Sequence, residues 1–282
     1  MTGLLRSLAA ALALLVVLTG CSSGGPAPTT ETPDPSAGAS GSSSESALAE
    51  EPAPDPGPRP RLGECHALTF RQAVTVAGRT EPVPCRRRHT AETYFVGRLD
   101  LETKAGHTRR PDSRAAQAQA RNACAARLPR HLGRTPRDLR LSMAQAVWFT
   151  PTPARAAAGA RWFRCDVVVV AAPRTLLPLP RRTKGWSDAP GTAMCATAAP
   201  GSKGFRRVTC QSPHSWVAVA TVDIPGTRLP QEAAISDRME EPCREAARTS
   251  AGDPLDLTWS QESPTADQWA AGQRYGICWV PA

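Results

Sequence analysis

The sequence predicts an α+β fold built twice: two tandem homologous disulfide-stabilised domains, each a small, mostly antiparallel sheet with one long and one short helix. Three observations predict it. Downstream of Cys21 the cysteines fall into two sets of four, Cys65, Cys85, Cys124 and Cys165, then Cys195, Cys210, Cys243 and Cys278, at intervals of 20, 39 and 41 positions and of 15, 33 and 35. Each set ends in the same pattern, A-A-G-x-R-[WY]-x-x-C, at 157–165 and again at 270–278. The second cysteine of each set is followed four positions later by a histidine, Cys85 by His89 and Cys210 by His214. Two motifs in one order, with spacings that differ only by amounts loops absorb, indicate an internal repeat.

Taken in order, residues 1–20 read as a lipoprotein signal peptide. Arg6 supplies the positive flank, and 8–18 is an apolar stretch the length of a signal-peptide core and short for a membrane span. It closes on Leu18-Thr19-Gly20-Cys21, so Cys21 is the expected lipid-attachment residue; two acyl chains there would anchor the chain stably on the extracytoplasmic face of the cell membrane. Residues 21–62 are Ser, Gly, Pro, Ala and Thr with scattered acids, too poor in large apolar residues for a core, and are expected as a disordered tether reaching about 35 Å.

Residues 63–173 form the first predicted domain. Alternating apolar positions give a strand over 91–101. A helix follows over 112–131, with Asp112 or Ser113 as N-cap and Cys124 within it. A strand at 146–149, a short proline-started helix and a strand through Cys165 over 162–171 complete it. Residues 174–190 are expected as a linker, and 191–282 repeat the order with a strand at 216–224, a helix at 231–250, a strand at 255–259 and a last strand at 274–280. Six tryptophans (Trp148, Trp162, Trp216, Trp259, Trp269 and Trp279) fall inside these elements as core anchors.

An even cysteine count outside the cytoplasm implies disulfides, although four cysteines per domain allow three connectivities and the sequence does not choose among them. The expected pairing joins first with second and third with fourth: Cys65 to Cys85, Cys124 to Cys165, Cys195 to Cys210, Cys243 to Cys278. The alternative use of these residues is zinc, with Cys65, Cys85, His89 and Cys124 as one Cys₃His set and Cys195, Cys210, His214 and Cys243 as its repeat. It is disfavoured because each domain offers one close ligand pair and leaves its fourth cysteine over. A Cys-His nucleophile is disfavoured because every cysteine has a disulfide partner, and no G-x-S-x-G elbow appears. No cofactor, metal or catalytic residue is therefore expected, and His89 and His214 are expected to brace loops. Arg161 and Arg274, four residues before each last cysteine, are expected to bond backbone carbonyls or an acid between the last strand and the helix.

The formal charge of +9 is unevenly distributed: residues 63–173 hold 19 basic and 8 acidic side chains, residues 174–282 hold 12 and 11. So basic a first domain favours polyanions. For an anchored envelope protein these are anionic lipid headgroups and wall polymers, with another envelope protein as the other partner class; nucleic acid is excluded by compartment. Arg86, Arg87 and Arg88 beside His89 form the candidate anion-binding cluster.

With lipobox, tether and the repeated C…V-x-C-x-x-x-H-[ST]…C…A-A-G-x-R-[WY]-x-x-C pattern together, the chain resembles the actinobacterial septum-formation-related domain family over nearly all of 63–282. Gly63-Glu64-Cys65 matches the family's opening and Trp269-Ala270-Ala271-Gly272-Gln273-Arg274 its closing run. Ala156 replaces that tryptophan in the first half, and Ala193 and Met194 replace the opening Gly-x in the second. The resemblance implies a role in septum formation or the envelope and brings no catalytic residue. The expected function is a non-catalytic binding or scaffold module; the alternative is an envelope hydrolase or zinc-dependent protein using the Cys/His clusters.

Overall fold

Two helices of equal length carry the third cysteine of each set, and both are built on the same stripe. Arg114–Leu132 buries Ala116, Ala120, Cys124, Leu128 and Leu132, and Glu232–Ser250 buries Ile235, Met239, Cys243 and Ala247. Residues four apart lie on one helical face, so each helix presents one apolar line to a sheet with its cysteine in that line. The first helix is capped by Ser113, whose side chain accepts from the Ala116 N–H, and ends on Gly133 in the left-handed region at φ 70°.

The computed structural model describes residues 55–76, 80–186, 190–250 and 257–282. The predicted signal peptide, Cys21 and the tether as far as residue 54 lie outside the described residues. In chain order the first half comprises β1 (Cys65–His66), α1 (Phe70–Ala73), β2 (Ala91–Arg98), α2 (Arg114–Leu132), α3 (Pro136–Leu139), β3 (Ala144–Phe149), α4 (Pro153–Ala157), β4 (Trp162–Ala172) and β5 (Thr175–Leu176). The second comprises β6 (Met194–Ala196), β7 (Arg207–Thr209), β8 (Trp216–Asp223), α5 (Glu232–Ser250), β9 (Ser260–Glu262), α6 (Ala266–Ala270) and β10 (Tyr275–Pro281). Each half has a five-stranded sheet, in the order β1-β2-β4-β3 with β5 on β4, and β7-β6-β8-β10-β9. All pairings are antiparallel. The strand carrying the first cysteine, the long second strand, the strand of the last cysteine and the strand before it thus stand in the same order in both sheets.

The register agrees in detail. A one-residue bulge interrupts β2 opposite β4 at Tyr94 and β8 opposite β10 at Val219, in each case beside the partner of the last cysteine. Two residues before that cysteine the halves exchange bulk. Gly97 faces Phe163 across the first sheet, where a Cβ would come within 2.3 Å of the ring. In the second sheet Gly276 faces Val222, and the Met239 sulfur fills the space 2.1 Å from where a Cβ would stand.

Three sequence expectations are corrected. Residues 174–190 do not form a free linker as far as they are described: Arg174, at φ 63°, turns β4 into β5, the Leu177 and Leu179 N–H groups donate to the Val169 and His89 carbonyls, and Leu179 and Thr183 are buried. The apolar residues of Leu176-Leu177-Pro178-Leu179 explain this, since they cover the sheet they follow. The end of the tether, 55–62, packs on the first half rather than hanging free; Arg59 and Arg61 line a cleft with Trp162 and Arg164. The strand expected at 255–259 begins at Ser260, residues 251–256 lying outside those described.

The halves also share a core. One buried cluster includes Leu99, Leu128, Met143 and Val167 from the first half and Met194, Ala196, Ala218, Ile277 and Trp279 from the second. Backbone bonds cross the same seam, the Met143 N–H donating to the Thr192 carbonyl at 2.7 Å and the Met194 N–H to the Leu141 carbonyl at 3.0 Å. Arg140 pairs with Asp223 at 2.5 Å and lies over the Tyr275 ring.

Candidate anion-binding site

All eight downstream cysteines are joined in sequence order: Cys65 to Cys85, Cys124 to Cys165, Cys195 to Cys210 and Cys243 to Cys278, with Cα–Cα distances of 4.9–5.3 Å, inside the ordinary disulfide range. A sulfur in a disulfide is neither a thiolate ligand nor a nucleophile, so the Cys₃His sets are not assembled. The two histidines repeat one contact: His89 Nδ1 lies 2.8 Å from the Arg87 carbonyl and His214 Nδ1 lies 2.8 Å from the Ser212 carbonyl, each ring closing its own loop two residues back. His89 is buried, and its Nε2 reaches the Pro180 carbonyl at 3.1 Å, while Arg86, Arg87 and Arg88 are exposed. The four do not converge on one anion. Arg161 donates to the Ala156 and Ala160 carbonyls and Arg274 to those of Trp269 and Gln273, so both guanidinium groups close the end of the short helix α4 or α6.

His89 nonetheless leads to the basic region that the structure does assemble. By holding Pro180 it fixes the start of Arg181-Arg182-Thr183-Lys184. Arg181, Arg182 and Lys184 border an open cleft of about 900 Å³ whose other walls include the C-terminal turns of α2, with Arg127, Arg130 and His131, and strand β2, with Glu92, Thr93, Tyr94 and Phe95. Arg127 and Arg130 are three apart and so share a helix face. Arg127 lies over the Phe95 ring at 4.1 Å, and the Tyr94 hydroxyl donates to the Cys124 carbonyl at 2.7 Å. Burial, with the Asp166 charge adding to it, pushes the Tyr94 hydroxyl far above its usual range, so it stays a neutral donor.

Five cations border this cleft, and among the described residues none of them pairs with a carboxylate. Glu92, the one acid there among the described residues, accepts from the Thr183 N–H at 2.7 Å and from its hydroxyl at 2.8 Å. His131 Nε2 meets the same hydroxyl at 2.8 Å. Burial lowers the His131 pKa, which Glu92 partly counters and Lys184 reinforces. Together Glu92, Thr183 and His131 tie the connecting segment to the helix end.

A second polar group lies under the sheet. Arg164 Nη1 is 3.5 Å from His66 Nδ1, His66 Nε2 is 3.3 Å from Thr93 Oγ1, and that hydroxyl donates to Asp166 Oδ1 at 2.7 Å. A neutral imidazole that accepts at Nδ1 and donates at Nε2 satisfies the chain. Arg164 Nε also lies 3.2 Å from Asp166 Oδ2 without completing a hydrogen bond. All four side chains are buried. Desolvation holds Asp166 at about 6, above its usual value, against the pull of Arg164 and the Thr93 hydroxyl. Desolvation and then the Arg164 charge lower His66 to about 4. Counted from the cysteines and the cross-strand pairs, the same four positions in the second half are Ala196, Ala218, Ile277 and Trp279, all apolar and buried.

Sequence reasoning missed both groups. The cleft residues lie some 50 positions apart in the chain, and Arg181 to Lys184 read as part of a linker. The buried group left a readable trace: Arg164 and Asp166 sit two apart, on one face of an otherwise apolar strand, where a charge needs a partner.

No curated protein and no solved structure matches the chain. The model of the family described as septum formation matches residues 62–278, from the residue before the opening Gly-x-Cys to the last disulfide cysteine. That span takes in both sheets, all four disulfides and the basic cleft, and by it the chain belongs to the septum-formation family.

Proposed function

We propose that this protein is a lipid-anchored module on the extracytoplasmic face of the cell membrane that binds an anionic envelope component during septum formation and performs no catalysis. The observation that carries the reading is the basic cleft, with five cations unopposed by any carboxylate partner among the described residues. Such a concave, single-sign site concentrates counter-charged ligand. The family supports the septal context, and the lipobox at Cys21 supports the anchor. A duplication, after which one copy acquired the cleft and the other apolar residues at the four positions of the buried polar group, fits the common strand order, disulfide placement, loop histidines and carbonyl-bonded arginines. Anionic wall polymer or an acidic face of another envelope protein is the ligand class.

Poly-L-glutamate binding tests the cleft. Affinity is expected to fall about tenfold or more between low and moderate salt, as screening of exposed charge requires. An Arg127→Ala/Arg130→Ala/Arg181→Ala/Arg182→Ala variant is expected to lose most of the binding, and an Arg86→Ala/Arg87→Ala/Arg88→Ala variant much less. Equal losses would move the site to the exposed loop, and salt-independent binding would remove the electrostatic reading. The anchor has its own check: Cys21→Ser is expected to shift the chain from the membrane fraction to the soluble one, and a fluorescent fusion of the unaltered chain is expected to concentrate at septa.

A further inference from the structure

We infer that the cleft is built for an organic diphosphate, a ligand with two phosphate groups close together on an apolar or ring-shaped body. This deepens the anion-binding reading and rests on it. Charge density is the first reason. Arg127, Arg130, Arg181, Arg182 and Lys184 border one cleft of about 900 Å³ whose only acid among the described residues is already held by Thr183. A lone carboxylate or a single diester phosphate brings one negative charge and leaves most of that field unopposed. A diphosphate brings about three in a small volume.

The second reason is arrangement. The cations come from two walls, a helix end and the inter-half segment. These walls are fastened together by the Gly185 N–H, which donates to the His131 carbonyl at 2.8 Å, and by the His131 to Thr183 contact. Two cationic groups are therefore held at a set spacing before any ligand arrives, which suits two linked phosphates and lowers the ordering cost of binding. Four of the five are arginines, whose planar forks match phosphate oxygens in pairs.

The third reason is the remaining lining. Tyr94 and Phe95 from β2, with Leu62 at 71 % exposure, supply apolar contact beside the charge. An anionic membrane surface presents single charges spread over a plane and calls for a flat basic face rather than a cleft. The fold itself does not need the cations: counted from the helix cysteine, the second half has Ala246 and Thr249 where the first has Arg127 and Arg130.

The test is equilibrium binding in detergent-free buffer to the full chain carrying Cys21→Ser, which has no lipid anchor to enter a bilayer, with inorganic pyrophosphate, orthophosphate, poly-L-glutamate and phosphatidylglycerol vesicles as probes. Pyrophosphate is expected to bind at least about tenfold more tightly than orthophosphate and to displace bound vesicles, because two linked charges meet two walls. Arg181→Ala/Arg182→Ala is expected to weaken pyrophosphate at least about tenfold, with Arg181→Lys/Arg182→Lys retaining more of it. Arg181 and Arg182 are exposed, and an unchanged melting temperature verifies that each variant folds. Pyrophosphate no tighter than orthophosphate, alongside salt-sensitive poly-L-glutamate binding, overturns the diphosphate inference and leaves the anion site standing. Vesicle binding that pyrophosphate cannot displace overturns it in favour of a membrane contact. Pyrophosphate binding untouched by the alanine pair places the ligand elsewhere, and failure of all four probes removes the anion site as well.

Discussion

Trp279→Ala is expected to destabilise the whole of the described fold by about 3–5 kcal/mol, the usual cost of emptying an aromatic site in a packed core, while leaving a single unfolding transition. Trp279 is fully buried, lies edge-on to Phe205 at 5.5 Å and belongs to the cluster that includes Leu99, Leu128 and Val167 of the first half. Its removal withdraws support from both sheets at once. Denaturant unfolding, followed by tryptophan fluorescence and by far-ultraviolet circular dichroism, is the measurement. Two separated transitions, one at the wild-type midpoint, would mean that the halves melt independently and that the shared core does not couple them.

The second large effect concerns the buried chain Arg164–His66–Thr93–Asp166. Arg164→Met leaves the Asp166 carboxyl without its cationic neighbour in a site closed to water, and a loss of about 3–5 kcal/mol is expected at neutral pH. Arg164→Met/Asp166→Leu removes both charges and is expected to recover much of that loss, approaching the apolar composition that Ile277 and Trp279 give the second half. Acid titration separates the two ionisable members. Asp166, raised to about 6 from its ordinary 3.8, contributes stability that is complete below about pH 4 and is lost as pH rises through 6. His66, lowered to about 4 from 6.5, contributes stability that is complete above about pH 6.5 and is lost as pH falls toward 4.

The two contributions run in opposite directions over the same window and largely cancel in the native protein. The charged groups acting on both are Arg164 and Glu64. Asp166→Asn removes one side of the balance. Relative to wild type, that variant is expected to lose up to about 3 kcal/mol of stability between pH 6.5 and 4. Parallel stability curves for the two proteins across that range would show that Asp166 does not hold its proton as described.

Much of this fold was legible in the sequence because its cysteines and helix stripes are local signals. Ala116, Ala120, Cys124 and Leu128 announce a buried helix face by their spacing alone, and the A-A-G-x-R run marks each last strand. The shared core was not legible. Leu177 and Leu179 lie among prolines and read as a connector, and only the folded chain brings Met194 and Ile277 into the cluster that holds Leu128. The candidate site failed to appear for the same physical reason: its charges come from a helix end and a connecting segment that meet through Thr183 and His131. The arginine run that does stand out, Arg86 to Arg88, faces solvent, while its neighbouring histidine turns inward to backbone carbonyls.

The order of the disulfides bears on how the chain can be made. Every bridge links a cysteine to the next one along, with separations of 20, 41, 15 and 35 residues, and none crosses or encloses another. A chain threaded N-terminus first into an oxidising compartment presents each thiol when its proper partner is the next to arrive and all earlier ones are already engaged. The first oxidation open to each pair is then the correct one, and maturation needs an oxidant but little reshuffling by an isomerase.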